Sequence, residues 1–234
     1  GQMSMKLTGW PQIETSEPAY LKMTRINLGF PLRQVDARFN LSAKQEGPWL
    51  LHGQSLSAEL LGGTLYSDEF HIDLHEQTGD LRIDLEQLNL SEILTLHKEG
   101  LSSSGKISGS VPIHIQAGKL SVSQGKVSSI NPGGVIRYVP EDSVRLLADK
   151  NEQLKTVLGT LTDFKYKSLS AILEYSSAGT LSAQTQLKGS NPAFKNGRQI
   201  NLNLNLEENV ADLLKSLRLT DDVTRKISHR PQKK

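Results

Sequence analysis

The chain has 234 residues, a net charge of +2 from 27 basic and 25 acidic side chains, and no cysteine. Disulfides and thiolate metal sites are therefore excluded. The evenly spread charge leaves no basic stripe interleaved with aromatics, so nucleic acid is not an expected partner.

Hydrophobic residues make up 36% of the chain and aromatics 5%, both low for a packed enzyme. That balance favours sheets buried on one face over a parallel sheet covered by helices on both. No stretch has the length and apolarity of a transmembrane helix. The opening Gly1-Gln2-Met3-Ser4-Met5 reads as a cloning remnant, so an excised piece, with its targeting segment lost, is expected. A cysteine-free composition suits the cytoplasm and a bacterial periplasm equally.

After a lead-in punctuated by Pro11 and Pro18, strands are expected over 20–29, 35–43 and 49–60. A Gly62-Gly63 turn opens a strand running to about 74, and another covers 81–88. A short helix follows over 91–98, with Ser91 as its N-cap. The Gly/Ser-rich connector 100–105 leads into a meander over 106–130, whose turns are placed at Gly118 and Gly125. A turn at 131–134 precedes a short strand ending at Tyr138. The period then changes: Val144, Leu147, Ala148, Leu154 and Leu158 fit one face of a helix over 143–158, started by Asp142 and stopped by Gly159. Strands resume over 164–175, 180–188 and 200–206. A last amphipathic helix is expected over 209–219, with Glu207, Glu208 and Asp212 near its start and Lys215 and Arg218 near its end. The basic tail 220–234 is expected to fray.

Alternation dominates this text. Val111, Ile113 and Ile115 alternate with Pro112, His114 and Gln116, and Leu202, Leu204 and Leu206 alternate with Asn201, Asn203 and Asn205. Side chains on a strand point to opposite faces with period two, so each strand carries one greasy face and one wet face. About a dozen strands spaced by about 4.8 Å make a ribbon roughly 50 Å long and on the order of 30 Å wide. An open sheet of that size twists and curls. The expected fold is therefore mainly β: a long, curled, mostly antiparallel sheet forming an open hydrophobic groove (a β-taco), with about three short amphipathic helices. Residues 19–219 form its single domain, after the lead-in 1–18 and before the tail 220–234. Period two names two faces without saying which is concave. The apolar set is taken as the floor: Val111, Ile113, Ile115, Leu120 and Val122, then Leu169, Ala171 and Leu173, then Leu181, Ala183 and Leu187, and finally Leu202, Leu204 and Leu206.

Catalytic motifs do not survive inspection. The run from Gly100 to Ile107 has the spacing of a phosphate-binding loop, but Ile107 stands where a Ser or Thr hydroxyl must reach the metal, and strand text follows it instead of a helix. His71, Asp73 and His75 share one strand face, which reads as the wet side of an amphipathic strand. His52, His97, His114 and His229 are scattered, and Gly-x-Ser-x-Gly is absent. No catalytic, metal or cofactor site is expected, and the chain reads as non-enzymatic. The basic end (Arg225, Lys226, Arg230, Lys233 and Lys234) reads as a solubilising tail, with anionic head groups as the alternative ligand.

Several stretches together resemble one family. They are Leu-Ser-Ala-Glu-Leu-Leu-Gly-Gly-Thr-Leu at 56–65, Leu-Glu-Gln-Leu-Asn-Leu-Ser-Glu-Ile-Leu at 85–94, and 100–112 with its Ser-Gly-Lys-Ile-Ser-Gly-Ser-Val-Pro core. The span 118–138, ending in Asn-Pro-Gly-Gly-Val-Ile-Arg-Tyr, continues the match, and Asn191-Pro192, Asn196-Gly197-Arg198 and 200–219 close it. This order is similar to the carboxy-terminal portion of AsmA-like proteins of the YdbH branch, also labelled a dicarboxylate-transport family. The resemblance implies a long Gram-negative envelope protein, anchored in the inner membrane outside this segment. Its members, like their TamB and YhdP relatives, are implied to bridge the periplasm with a curled groove and carry phospholipid to the outer membrane. It also implies a small outer-membrane lipoprotein partner, YnbE or an equivalent. The strand over 200–206 is the expected edge for that partner to join by strand addition, with Ile200, Asn201, Asn203 and Asn205 at the junction. Two other readings remain open: a closed β-sandwich or barrel binding protein or glycan, and a dicarboxylate-binding module, for which Arg25, Arg33 and Arg38 are dispersed in the sequence.

Overall fold

A computed structural model describes residues 1–9, 13–27, 31–43, 47–95 and 100–209. In chain order the first strands are β1 (Gln2–Ser4), β2 (Leu7–Thr8), β3 (Ile13–Thr15), β4 (Ala19–Asn27), β5 (Pro31–Ala43) and β6 (Trp49–Leu60). β7 (Gly63–Ser67), β8 (Phe70–Asp73), β9 (Thr78–Asn89) and helix α1 (Leu90–Thr95) follow. Then come β10 (Leu101–Ser103), β11 (Lys106–Gln116), β12 (Lys119–Ser129) and β13 (Gly134–Tyr138). Helices α2 (Asp142–Ala148) and α3 (Glu152–Leu161) precede β14 (Phe164–Tyr175), β15 (Thr180–Ser190) and β16 (Ile200–Asn209).

Among the described residues all 16 strands belong to one sheet, mainly in the order β4-β5-β6-β7-β9-β11-β12-β14-β15-β16, and every pairing is antiparallel. Among the described residues the ends of this path, near β4 and β16, do not pair with one another, so these strands form an open sheet. The expected curled, antiparallel groove with three short helices fits this architecture.

Several boundaries differ from expectation for local reasons. The strand expected from 63 to 74 is interrupted at Asp68 and Glu69, and its halves β7 and β8 pair separately with β6. Gly53 makes room for this: a Cβ there would lie 2.1 Å from the Phe70 ring, which covers the glycine. Gly125 is no turn; it sits inside β12 at a register shift. α1 starts at Leu90, so Ser91 lies within the helix, not at its cap.

The connector 100–105 contains β10, which pairs with β13. The single helix expected over 143–158 is two, broken at Asn151, whose Oδ1 accepts from the backbone N–H of Gln153 and Leu154 at 3.0 Å each. Glu141, not Asp142, occupies the N-cap of α2. Gly159 does not stop α3, which runs to Leu161; its missing side chain lets the Phe194 ring approach instead. Glu207, Glu208 and Asn209 lie in β16. The rest of the expected terminal helix and the tail lie outside the described residues, as do His97 and His229.

The main core gathers at one end of the strands. Ile107, Val127, Leu169, Leu187 and Leu202 pack there with Leu90 of α1 and Ile136 of β13. Phe164, 0% exposed, and Tyr166 complete the cluster, and Leu101 and Leu161 border it. A second cluster joins Val35, Ala58 and Leu65 across β5, β6 and β7. Tyr166 also donates its hydroxyl to the Ser104 carbonyl at 2.7 Å, tying β14 to the loop before β11.

Phe164→Ala removes a ring with no solvent contact, and is expected to lower unfolding stability by about 3–5 kcal/mol in urea titration. Burial pushes the Tyr166 phenol above its ordinary range. Below pH about 10 both folded and unfolded chains hold that proton; above it the unfolded chain loses it first. Unfolding stability is therefore expected to fall as pH rises past about 10, and to fall less in Tyr166→Phe, measured by denaturant titration at both sides of that value.

Candidate functional groove

Register decides which side chains share a face, because directly opposed residues on neighbouring strands point the same way. Along one rung Leu85, Gly109, Val127, Ala171, Thr185 and Leu204 are successive partners. Another joins Leu81, Ile113, Val122, Tyr175, Leu181 and Glu208. Shorter rungs join Ile83 to Val111 and Ile115 to Leu120. Leu173 meets Ala183 and Leu206, and Leu169 meets Leu187 and Leu202. All fourteen predicted floor residues thus lie on one continuous face of the sheet.

Their exposure is graded along the strands. Leu169, Ala171, Leu187 and Leu202 are buried beneath the cap made by α1, β13 and their neighbours. Val111, Ile113, Ile115, Val122, Leu173, Leu181, Ala183 and Leu204 are half-buried. At the far end Leu120 and Leu206 are 49% and 48% exposed. The apolar face is therefore covered at one margin and open at the other.

One buried amide ties α3 to the end of β15. Asn191, 0% exposed, donates through Nδ2 to the Gly159 and Thr160 carbonyls at 3.1 Å each and to Thr162 Oγ1 at 2.9 Å, while its Oδ1 accepts from the Ala193 N–H. The β15–β16 connection is thereby fastened to α3.

Sequence reasoning left out part of this face. Leu81, Ile83 and Leu85 alternate as plainly as the predicted set and belong to it. Val127 was hidden by a bulge: Gln124, at φ 56°, adds one residue between Val122 and Gly125, so the apolar phase changes parity. Gln87 and Gln34, also at positive φ, sit at two further register shifts.

The opposite face is polar. His71 stacks on His52 with ring centroids 4.2 Å apart, His114 pairs with Asp80, and Asp73 accepts from the backbone of His75 and Glu76. Arg25 and Arg33 are register partners, with Glu59 next in the rung, and Arg38 opposes Tyr20. Among the described residues no cluster has the makings of a metal site, and no helix is long and apolar enough to cross a membrane.

These features define a groove-forming β protein: a single open antiparallel sheet whose one continuous aliphatic face carries a cap at one margin. The sequence pattern of the YdbH-like family, described as intermembrane phospholipid transport protein YdbH, matches residues 4–232, and the chain belongs to that family. It is also similar to the protein named "Probable phospholipid transport protein YdbH" from Escherichia coli (strain K12), with 23% identity over 180 residues. That match covers 76% of this chain and 20% of the relative, so the chain spans about a fifth of the relative's length. No solved structure matches. At family level the function is phospholipid transport.

Asn191→Ala leaves the α3 carbonyls without their buried donor, and is expected to cost about 1–3 kcal/mol in chemical denaturation. Hydrogen exchange should then quicken in α3 before it quickens in β11.

Proposed function

We propose that this chain is one segment of a non-enzymatic phospholipid conduit, and that acyl chains lie on the aliphatic face while head groups stay in water beyond its open margin. The observation that carries this reading is the continuous run of aliphatic rungs with, among the described residues, no second sheet packed over it. Each methylene moved from water onto such a face is worth about 0.8 kcal/mol. Rungs of similar chemistry repeat from β9 to β16, so a lipid passing along the stack meets a series of comparable sites instead of one deep minimum.

Family membership supports placing the segment in the periplasm of a Gram-negative cell. There the full-length protein, anchored in the inner membrane outside this segment, reaches the outer membrane and serves its homeostasis. Residues 19–219 act as one groove unit in this reading. Among the described residues β16 pairs with β15 alone, leaving the other edge of Ile200–Asn209 for a strand from a lipoprotein of the YnbE type. The Asn/Leu alternation of that strand places no charge over its first seven residues to repel an incoming strand.

A photo-crosslinking amino acid at Ile113, Ala183 or Leu204, on the aliphatic face, is expected to capture phospholipid in cells, and one at Gln116 or Gln184, on the polar face, is not. Lipid adducts at both sets alike, or at neither, overturn the conduit. The same chemistry at Asn201 or Asn205 is expected to capture the lipoprotein.

A further inference from the structure

The polar side of β12, β14, β15 and β16 is dished, with a depression of about 450 Å³ on the side away from the aliphatic floor. Register arranges the side chains on this face in two rungs, Ser128–Ser170–Gln186–Asn203 and Lys126–Ile172–Gln184–Asn205, with the rung Val127–Ala171–Thr185 between them. Several groups elsewhere on the polar side satisfy one another. Gln54 bonds Asn40, Arg82 bonds Asp84 and Ser110, and Gln124 bonds Glu174. By contrast, among the described residues the carboxamides of Gln184, Gln186, Asn203 and Asn205 make no hydrogen bond.

Each carboxamide offers two N–H donors and a carbonyl acceptor. Four of them stand in a grid about 4.8 Å apart between strands and about 6.8 Å apart along them. No carboxylate lines the depression, and its one cation is Lys126. A nucleic acid or other polyanion needs several cations to neutralise its phosphates. A peptide joins a strand edge or buries apolar anchors in pockets, whereas this is the face of the sheet, with Ile172 its one outward aliphatic residue. What matches unspent amides and hydroxyls of near-neutral charge is an uncharged chain rich in hydroxyl groups.

We propose that this amide grid is a binding site for a neutral oligosaccharide. The site lies on the side opposite the aliphatic floor, so it holds or fails independently of lipid carriage. An open polar site of this kind binds weakly, with dissociation constants on the order of 1 mM.

The test is a titration of the 15N-labelled chain with chitotetraose and with maltotetraose, followed by NMR of the side-chain amides. Saturable shifts with either sugar are expected at Gln184, Gln186, Asn203 and Asn205, with Gln54 and Gln116 unmoved. The double variant Gln186→Ala with Asn203→Ala, at exposed positions, is expected to bind at least fivefold more weakly with an unchanged circular dichroism spectrum. The proposal is overturned if neither sugar gives a saturable shift, if Gln54 and Gln116 move equally, or if the double variant binds as tightly. It is also overturned if tetraglycine, and not the sugars, saturates the same resonances.

Discussion

One constraint organises this protein: each strand must hold its aliphatic residues on the same side as the strands beside it. A sheet without a second layer has only that face to bury, and the phase of each strand decides whether the face is continuous. One slipped residue would carry a whole strand's aliphatic set into solvent and break the floor. Backbone pairing enforces the agreement, since partners such as Ile113 and Val122, or Leu187 and Leu202, are locked opposite one another by the ladder. The cap builds on this. Leu90, Ile136 and Phe164 find a surface to cover only because Ile107, Val127, Leu169 and Leu187 already face the same way.

The asymmetry across the strands follows from how the chain connects them. α1 leaves the end of β9, and α3 follows β13 by way of α2, on the same margin of the sheet, so Leu90, Ile93 and Leu94 of α1 and Leu161 of α3 fall on the same core, while Leu146 and Leu147 of α2 stay exposed. At the other margin the chain turns tightly, as at Ala117 and Gly118 between β11 and β12, with no helix to cover Ile115 or Leu120. A face that is closed at one margin and open at the other is what the proposed conduit requires of a molecule with a greasy end and a wet end.

Much of the sheet is legible in the sequence because alternation is a direct record of one-sided burial. The strands around Ile113, Ala183 and Leu204 could be read, and their shared face inferred, from residue types alone. What could not be read is set by single residues acting over distance. Three of the bulges fall at glutamines, Gln34, Gln87 and Gln124, where glycine would have announced a positive φ. The break between α2 and α3 depends on Asn151 capping in the midst of an unbroken helical pattern. Gly159 reads as a helix stop, yet it serves the approach of Phe194 from the β15–β16 connection. Which aliphatic residues lie under the cap was also hidden, because period two is blind to position along the strand.

The glutamine bulges make the sheet sensitive to arithmetic. Unless a bulge absorbs it, as at Gln124 between Val122 and Gly125, a single extra residue inside a strand exchanges the dry and wet surfaces of the rest of that strand, whereas a pair leaves them unchanged. Hairpin tips absorb any number. Drift in length among distant relatives should therefore gather at the tips, while the interiors of the strands change composition freely and keep their count.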